Sequence, residues 1–302
     1  MATLVTLVTM ACTADPGYGG RTSADWIRQL SDPDENARAD AAEALERVLQ
    51  LQPKLPNVVR ALVRALADSA DVVRTAAGTA LAAEGVKSPE AAPGLAAMLA
   101  DSAHPVVRTT AARLLGMVQT SADTAIFALI SALRDSDANV RAAAAQSLGL
   151  IGPSAGRAVP HLVRLFDDPE PQARVKAIEA LMNIRAAPAN ALPVFVRALD
   201  DSVRSVRPTA ACALGALGPS AAPALEALLQ RLSDVDSWVR GAAVFAIGRI
   251  GTAAASAIAP LIALQRRDTS SAVAGAVEDA LAAVRGQPRP PRVLPEPPRF
   301  AK

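Results

Sequence analysis

The sequence predicts an all-α solenoid of about eight helical-hairpin repeats, and three registers carry that prediction. Acidic marks at Asp32, Asp68, Asp101, Asp135, Asp168, Asp201, Asp234 and Asp268 follow one another at steps of 36, 33, 34, 33, 33, 33 and 34 residues. Basic marks follow six or seven positions later at Arg38, Arg74, Arg108, Arg141, Arg174, Arg207 and Arg240, with Ala274 in the eighth slot. Seven positions after each basic mark stands an aliphatic residue: Leu45, Leu81, Leu115, Leu148, Leu181, Leu214, Ile247 and Leu281. In such an array each unit buries its apolar face only against its neighbours, so one elongated core is expected rather than separate domains.

Composition agrees with helices that approach closely. The chain is 51% hydrophobic but only 3% aromatic, so Ala, Leu and Val fill the core. Lys plus Arg (31) nearly balances Asp plus Glu (29), and seven Arg already belong to the register. That leaves no clustered positive excess for a nucleic-acid footprint. Cys12 and Cys212 cannot make a disulfide framework, and with His104 and His161 they show no zinc spacing. No apolar run reaches the about 18 residues of a membrane span.

Residues 1–21 are read as a truncated lipoprotein or signal leader with a flexible spacer, or equally as a disordered N-terminus. MATLVTLVTMA ends at Cys12, which resembles a bacterial lipoprotein signal and would make Cys12 the lipidated residue. Thr9 stands where Leu is usual, however, and no Lys or Arg precedes Arg21, unlike a secretory leader. Localisation is thus left between the bacterial cell envelope and the cytoplasm, with Cys12 the one route to a membrane.

Residues 22–285 hold the repeats. Thr22 to Asp25 fits a capping box, after which Trp26, Ile27 and Leu30 form an apolar stripe with Trp26 as an end-cap core residue. Arg38 to Leu49 is the second helix of the first hairpin, apolar at i, i+3 and i+4. In later units helix A precedes the acidic mark: Pro56–Leu66, Pro93–Leu99, Ile126–Leu133, Val159–Phe166, Leu192–Leu199, Leu225–Leu232 and Ile258–Leu264. Pro93, Pro160, Pro193 and Pro260, each eight residues before the mark, start or bend it. Helix B follows the basic mark and is expected to stop at Gly149 and Gly152, Gly215 and Gly218, and Gly248 and Gly251, with Pro153 and Pro219 reinforcing the stop. Residues 286–302, GQPRPPRVLPEPPRFAK with Gly286 first, read as an extended, disordered Pro-rich tail.

Pro in helix A, Asp in the turn, Val-Arg opening helix B and then Ala-Ala-x-x-Leu-Gly resemble HEAT repeats, in particular the bacterial phycobilisome-lyase-type HEAT-like family. The resemblance implies a right-handed, armadillo-like superhelix of antiparallel helix pairs, with B helices lining a concave face that usually binds protein.

An Arg near a helix N-terminus opposes the macrodipole by a few tenths to about 1 kcal/mol, so its sevenfold recurrence calls for a partner. Each Arg is expected to reach the Asp of the following repeat, as in Arg141 with Asp168, Arg174 with Asp201, Arg207 with Asp234 and Arg240 with Asp268. Ala274 then needs no Arg, because no ninth repeat supplies an acid. The ladder of Asp68, Asp101, Asp135, Asp168, Asp201, Asp234 and Asp268 with Arg38, Arg74, Arg108, Arg141, Arg174, Arg207 and Arg240 is therefore structural.

With slots three, six, seven and ten after each Arg packed inward, slots two, five and nine face out. From the second unit they hold Ala76, Thr79 and Ala83; Thr110, Arg113 and Met117; Ala143, Gln146 and Leu150; Lys176, Glu179 and Asn183; Thr209, Cys212 and Ala216; and Ala242, Phe245 and Arg249. The candidate partner-binding residues are Arg113, Met117, Gln146, Leu150, Lys176, Glu179, Asn183, Phe245 and Arg249, while Cys212 reads as a small buried hydrophobe.

The function expected is non-enzymatic: a monomeric scaffold for a protein or peptide, with no cofactor and no nucleic acid. The alternative, by resemblance to enzymatic HEAT-like proteins, is a metal-dependent hydroxylase or lyase-type accessory protein. Its di-iron form needs His-Glu pairs, whereas His104 precedes Pro105 and His161 precedes Leu162. Trp238 is read as an isolated turn or core residue, and no Ser or Thr has a positioned His partner.

Overall fold

The computed structural model describes residues 17–52, 55–83, 90–101, 103–118 and 122–287. The leader with Cys12 and the tail from 288 lie outside them, as do the side chains of Asp101 and Ala122. The chain divides into two compact units, residues 1–161 and 162–302.

The first unit opens with β1 (Gly17–Tyr18) and β2 (Arg21–Thr22), an antiparallel pair with Gly17 opposite Thr22 and Tyr18 opposite Arg21. Sequence alone predicts spacer up to residue 21. Gly19 and Gly20, at φ +63° and +76°, supply the two positive-φ positions that a two-residue hairpin turn demands. Then come α1 (Ser23–Gln29), α2 (Glu35–Leu51), α3 (Pro56–Ala65), α4 (Asp71–Ala83), α5 (Ala91–Asp101), α6 (Pro105–Met117), α7 (Ala122–Ala132) and α8 (Ala138–Ile151). α9 (Val159–Leu165) spans the division; α10 (Pro171–Asn183), α11 (Pro188–Ala198), α12 (Val206–Leu217), α13 (Leu225–Arg231), α14 (Ser237–Ile250), α15 (Ile258–Arg267) and α16 (Ser271–Val284) follow. Odd helices are the A helices and even ones the B helices of an all-α solenoid.

The first helix starts where expected. Thr22 accepts from the Asp25 amide, and Asp25 accepts from the Thr22 amide, so two orphan donors are satisfied reciprocally. Asp34, Asp137 and Asp236 cap α2, α8 and α14 through their side chains. On the B helices the slots read as inward are buried: Ala41, Ala44, Leu45 and Val48 in α2, and Ala243, Ala246, Ile247 and Ile250 in α14.

Three features correct the sequence reading of helix ends. Gly152, Gly218 and Gly251 do end B helices, at φ +73°, +58° and +75°, but with ψ near −140° rather than in the left-handed helical well. That region is nearly closed to residues with a Cβ. A 3₁₀ stretch follows each, Gly152–Ala158, Gly218–Ala224 and Gly251–Ala257, before helix A begins. Gly149, Gly215 and Gly248, by contrast, stop nothing and lie inside α8, α12 and α14. Their reason is contact where it is described: a Cβ on Gly215 would stand 2.7 Å from Phe245 Cε1, and one on Gly248 3.1 Å from Ala280 Cα. Gly116 in α6 occupies the same slot, with Ser147 Cβ at 2.6 Å.

By length and composition, Val206–Arg231 and Ser237–Arg267 are apolar enough to cross a membrane, contrary to the sequence reading. Both are hairpin pieces broken at Gly218 and Gly251, with core residues such as Leu214, Leu228 and Ile247 fully buried.

Candidate functional site

The Arg ladder explains what B helices are built to hold, and hence which side chains they leave over. In the second unit, Arg174 donates from Nε and Nη2 to Asp201 Oδ2 and Oδ1, both at 2.8 Å, a bidentate pair. Its Nη1 donates to the carbonyls of Asp168 at 2.9 Å and Pro169 at 3.1 Å, in its own turn. Asp201 in turn accepts from the Val203 amide at 2.8 Å. One guanidinium thus ties the end of its own helix A to the acid of the next repeat. Arg207 reaches Asp234 at 3.0 and 3.2 Å, and Arg240 reaches Asp268 at 2.5 and 3.0 Å, each with Nη1 on its own turn.

The first unit repeats the arrangement in Arg38 with Asp68, 2.8 Å at both contacts, and Arg108 with Asp135, 2.7 and 2.6 Å. Arg74 donates to the Asp68 and Ser69 carbonyls and pairs with Asp71, within its own repeat. Arg141 donates to the Asp135 and Ser136 carbonyls. It belongs to a different unit from Asp168, so their pairing remains a proposal. The sequence reading saw the carboxylate partner and missed the carbonyls, which no side-chain pattern encodes. Those carbonyls are the orphan acceptors at the end of helix A.

The electrostatics follow. Hydrogen bonding from Arg38 holds the Asp68 carboxyl below its usual range, as Arg240 does for Asp268. For Asp135 and Asp201 burial works upward as the largest single effect, but Arg108 and Arg174 with the Asp137 and Val203 amides outweigh it and the carboxyls are lowered.

The candidate partner residues fall on helix faces outside this ladder. In the first unit Arg113, Met117, Gln146 and Leu150 are exposed, Met117 at 44% and Leu150 at 62%. In the second, Asn183, Phe245 and Arg249 are exposed, and Lys176 and Glu179 are half-buried and paired at 2.8 Å. Ala76 and Ala143, read as outward, are buried, while Thr110, Lys176, Thr209 and Ala242 in the same slot are half-buried, so slot two lies at the edge of the packed side and not on the open face. Cys212 is a second correction. It is exposed rather than buried, although the atoms crowding one side push its thiol up. Trp26 is half-buried rather than core, and Trp238 is 75% exposed at the start of α14.

Sequence reasoning skipped the first repeat's outward slots, which hold Asp40, Glu43 and Arg47. They border a hollow of about 1020 Å³ that α2 and α4 share with Tyr18 and Trp26. Among the described residues, no three His, Cys, Asp or Glu side chains come together as a metal set.

Comparison with known proteins places this arrangement. A family model described as HEAT repeats matches residues 23–116, 92–182 and 159–231, and one described as HEAT repeat matches 224–254. No curated protein sequence matches the chain. An engineered protein of known structure is similar at 24% identity and TM-score 0.54, covering 88% of this chain and 79% of its own. The YibA protein of Escherichia coli is similar at 20% identity and TM-score 0.59, covering 86% of this chain and 92% of its own. Both likenesses concern the fold alone. Because the family matches run through successive ladder repeats from residue 23 to 254, the chain belongs to the HEAT-repeat family.

Proposed function

We propose that this protein is a non-enzymatic scaffold that holds a protein or peptide partner on the outward face of its B helices. HEAT repeats commonly serve as interaction scaffolds, and one observation carries the reading here. The ladder Arg and the inward slots account for the buried side of each B helix, yet Met117, Leu150 and Phe245 stay 44%, 62% and 49% exposed on the side left over. Large apolar groups amid polar ones mark contact surfaces. The exposed outward slots also hold Arg113 and Gln146 in the first unit and Asn183 and Arg249 in the second, where Lys176 pairs with Glu179. Monomeric state, the finer phycobilisome-lyase-type relationship and membrane attachment through Cys12 belong to the same proposal.

The test compares affinity capture by the wild-type chain with capture by Met117→Asp plus Phe245→Asp, each checked for unchanged helicity. Loss of the same set of partners is expected, since truncating or charging a central apolar contact removes a disproportionate share of binding energy. Equal recovery by both proteins discards the B-face reading. Stoichiometric iron in purified protein would favour the hydroxylase alternative instead.

A further inference from the structure

Resting on the proposal that the B side is the working surface, we infer that the hollow between α2 and α4 takes an extended, cationic segment of a partner protein, rich in Arg or Lys. Its lining carries four carboxylates, Asp40, Glu43, Glu46 and Asp71, against the one guanidinium of Arg47, a net of three negative charges. Asp71 already pairs with Arg74, and Glu46 accepts from Gln50 Nε2 at 3.1 Å. Asp40 and Glu43 are exposed and have no hydrogen-bond or ion-pair partner among the described residues. They lie three residues apart on α2, where like charges repel, and a bound cation relieves that repulsion.

The hollow is more than an acidic surface. Trp26 is fixed by its indole N–H, which donates to the Tyr18 carbonyl at 3.1 Å, and the Arg21 guanidinium lies 4.0 Å from the ring centroid. Arg21 already covers one face of this indole, so the exposed Tyr18 ring is the aromatic surface the hollow offers to a partner's Arg or Lys. Tyr18 and Val72, both 45% exposed, offer apolar surface to the aliphatic stems of such side chains. A polyanion such as nucleic acid meets the wrong sign of charge.

The experiment uses the full chain carrying Trp238→Phe, so that Trp26 is the sole tryptophan reporter. A short alternating Arg-Gly peptide is titrated in, and binding is read from its own fluorescent label and from Trp26 emission. Binding that weakens with added salt is expected, as is an approximately tenfold higher Kd in Asp40→Asn plus Glu43→Gln. Both residues are exposed and without partners among the described residues, and an unchanged circular dichroism melt checks that the variant folds as its parent does. Equal affinity in parent and variant, or equal affinity for a Ser-Gly peptide, overturns the proposal. A chain ending at Gln287 tests the other occupant. If removing Arg289, Arg292, Arg299 and Lys302 with the rest of the tail raises peptide affinity, the hollow serves the chain's own tail and the partner assignment fails. Met117→Asp plus Phe245→Asp separates the two readings: peptide binding unchanged there while Asp40→Asn plus Glu43→Gln weakens it about tenfold supports the hollow, whatever becomes of the larger face.

Discussion

Cutting the ladder at Arg174 tests the central structural argument. Arg174→Ala removes two charge-assisted hydrogen bonds to Asp201 and two bonds to the carbonyls of Asp168 and Pro169. The Asp201 carboxylate, 8% exposed, is left with the Val203 amide as its remaining described donor. Stranding one member of a fully buried pair costs about 3–5 kcal/mol, and the open rim of the turn lets water take part of the load, so about 2–3 kcal/mol is expected. Asp201→Ala strands the guanidinium, which still has its two carbonyls, and uncaps one amide, at about 1.5–3 kcal/mol. The double variant strands neither charge, so its loss falls short of the sum, and the shortfall measures the coupling. Urea unfolding read by circular dichroism gives the totals. Since repeat arrays need not unfold as one step, amide exchange across residues 171–214 shows where protection is lost. A cost for Arg174→Ala below about 1 kcal/mol, the ordinary value of a surface pair, refutes the ladder as a structural device.

Glycine substitutions separate contact from backbone conformation. Gly116→Ala puts a methyl within 2.8 Å of Ser147 Cα, backbone that cannot swing aside, and is expected to lose about 1–3 kcal/mol in thermal or urea melts. Gly251→Ala meets nothing within 4 Å, yet φ +75° with ψ −143° makes it destabilising by about 1–3 kcal/mol in the same assay. Gly275→Ala, also in open space but inside α16, gains about 0.5–1 kcal/mol from helix propensity. Lowered carboxyls at Asp68 and Asp268 make stability pH-dependent: it is complete above the ordinary carboxyl pKa of about 4 and falls as pH drops through the lower native values. Asp268→Asn therefore flattens the acid limb of a Tm-against-pH curve, and an unchanged limb contradicts the assignment.

What could be read from sequence was whatever repeats. The acidic and basic registers made the hairpins, the inward slots and the inter-repeat direction of the Arg bonds legible, because each is a side-chain choice made again and again. What could not be read depends on main chain or on one place only. The Nη1 bonds go to carbonyls that every residue possesses, and the 3₁₀ stretches after Gly152, Gly218 and Gly251 leave the helical period without a composition signal. Gly149, Gly215 and Gly248 read as stops because Gly before a turn usually is one. Gly215 and Gly248 instead face the next helix at contact distance, which no local residue pattern encodes. The hollow at the first repeat escaped for the opposite reason. Tyr18 and Trp26 precede the register, and the charges at Asp40 and Glu43 occur once.

That division has a mechanistic consequence. Arg38, Arg174, Arg207 and Arg240 each satisfy their own turn through backbone acceptors and the neighbouring repeat through a carboxylate, so all three nitrogens of each guanidinium are engaged within the turn layer. Repeat stacking then makes no electrostatic demand on the outward slots. Those slots carry, in the first repeat, acids without partners among the described residues, a Lys–Glu pair in the fifth and an apolar ring in the seventh, all on one backbone design. A surface freed in this way can change its charge and its apolar content repeat by repeat without loosening the stack, and that is the property an interaction scaffold needs.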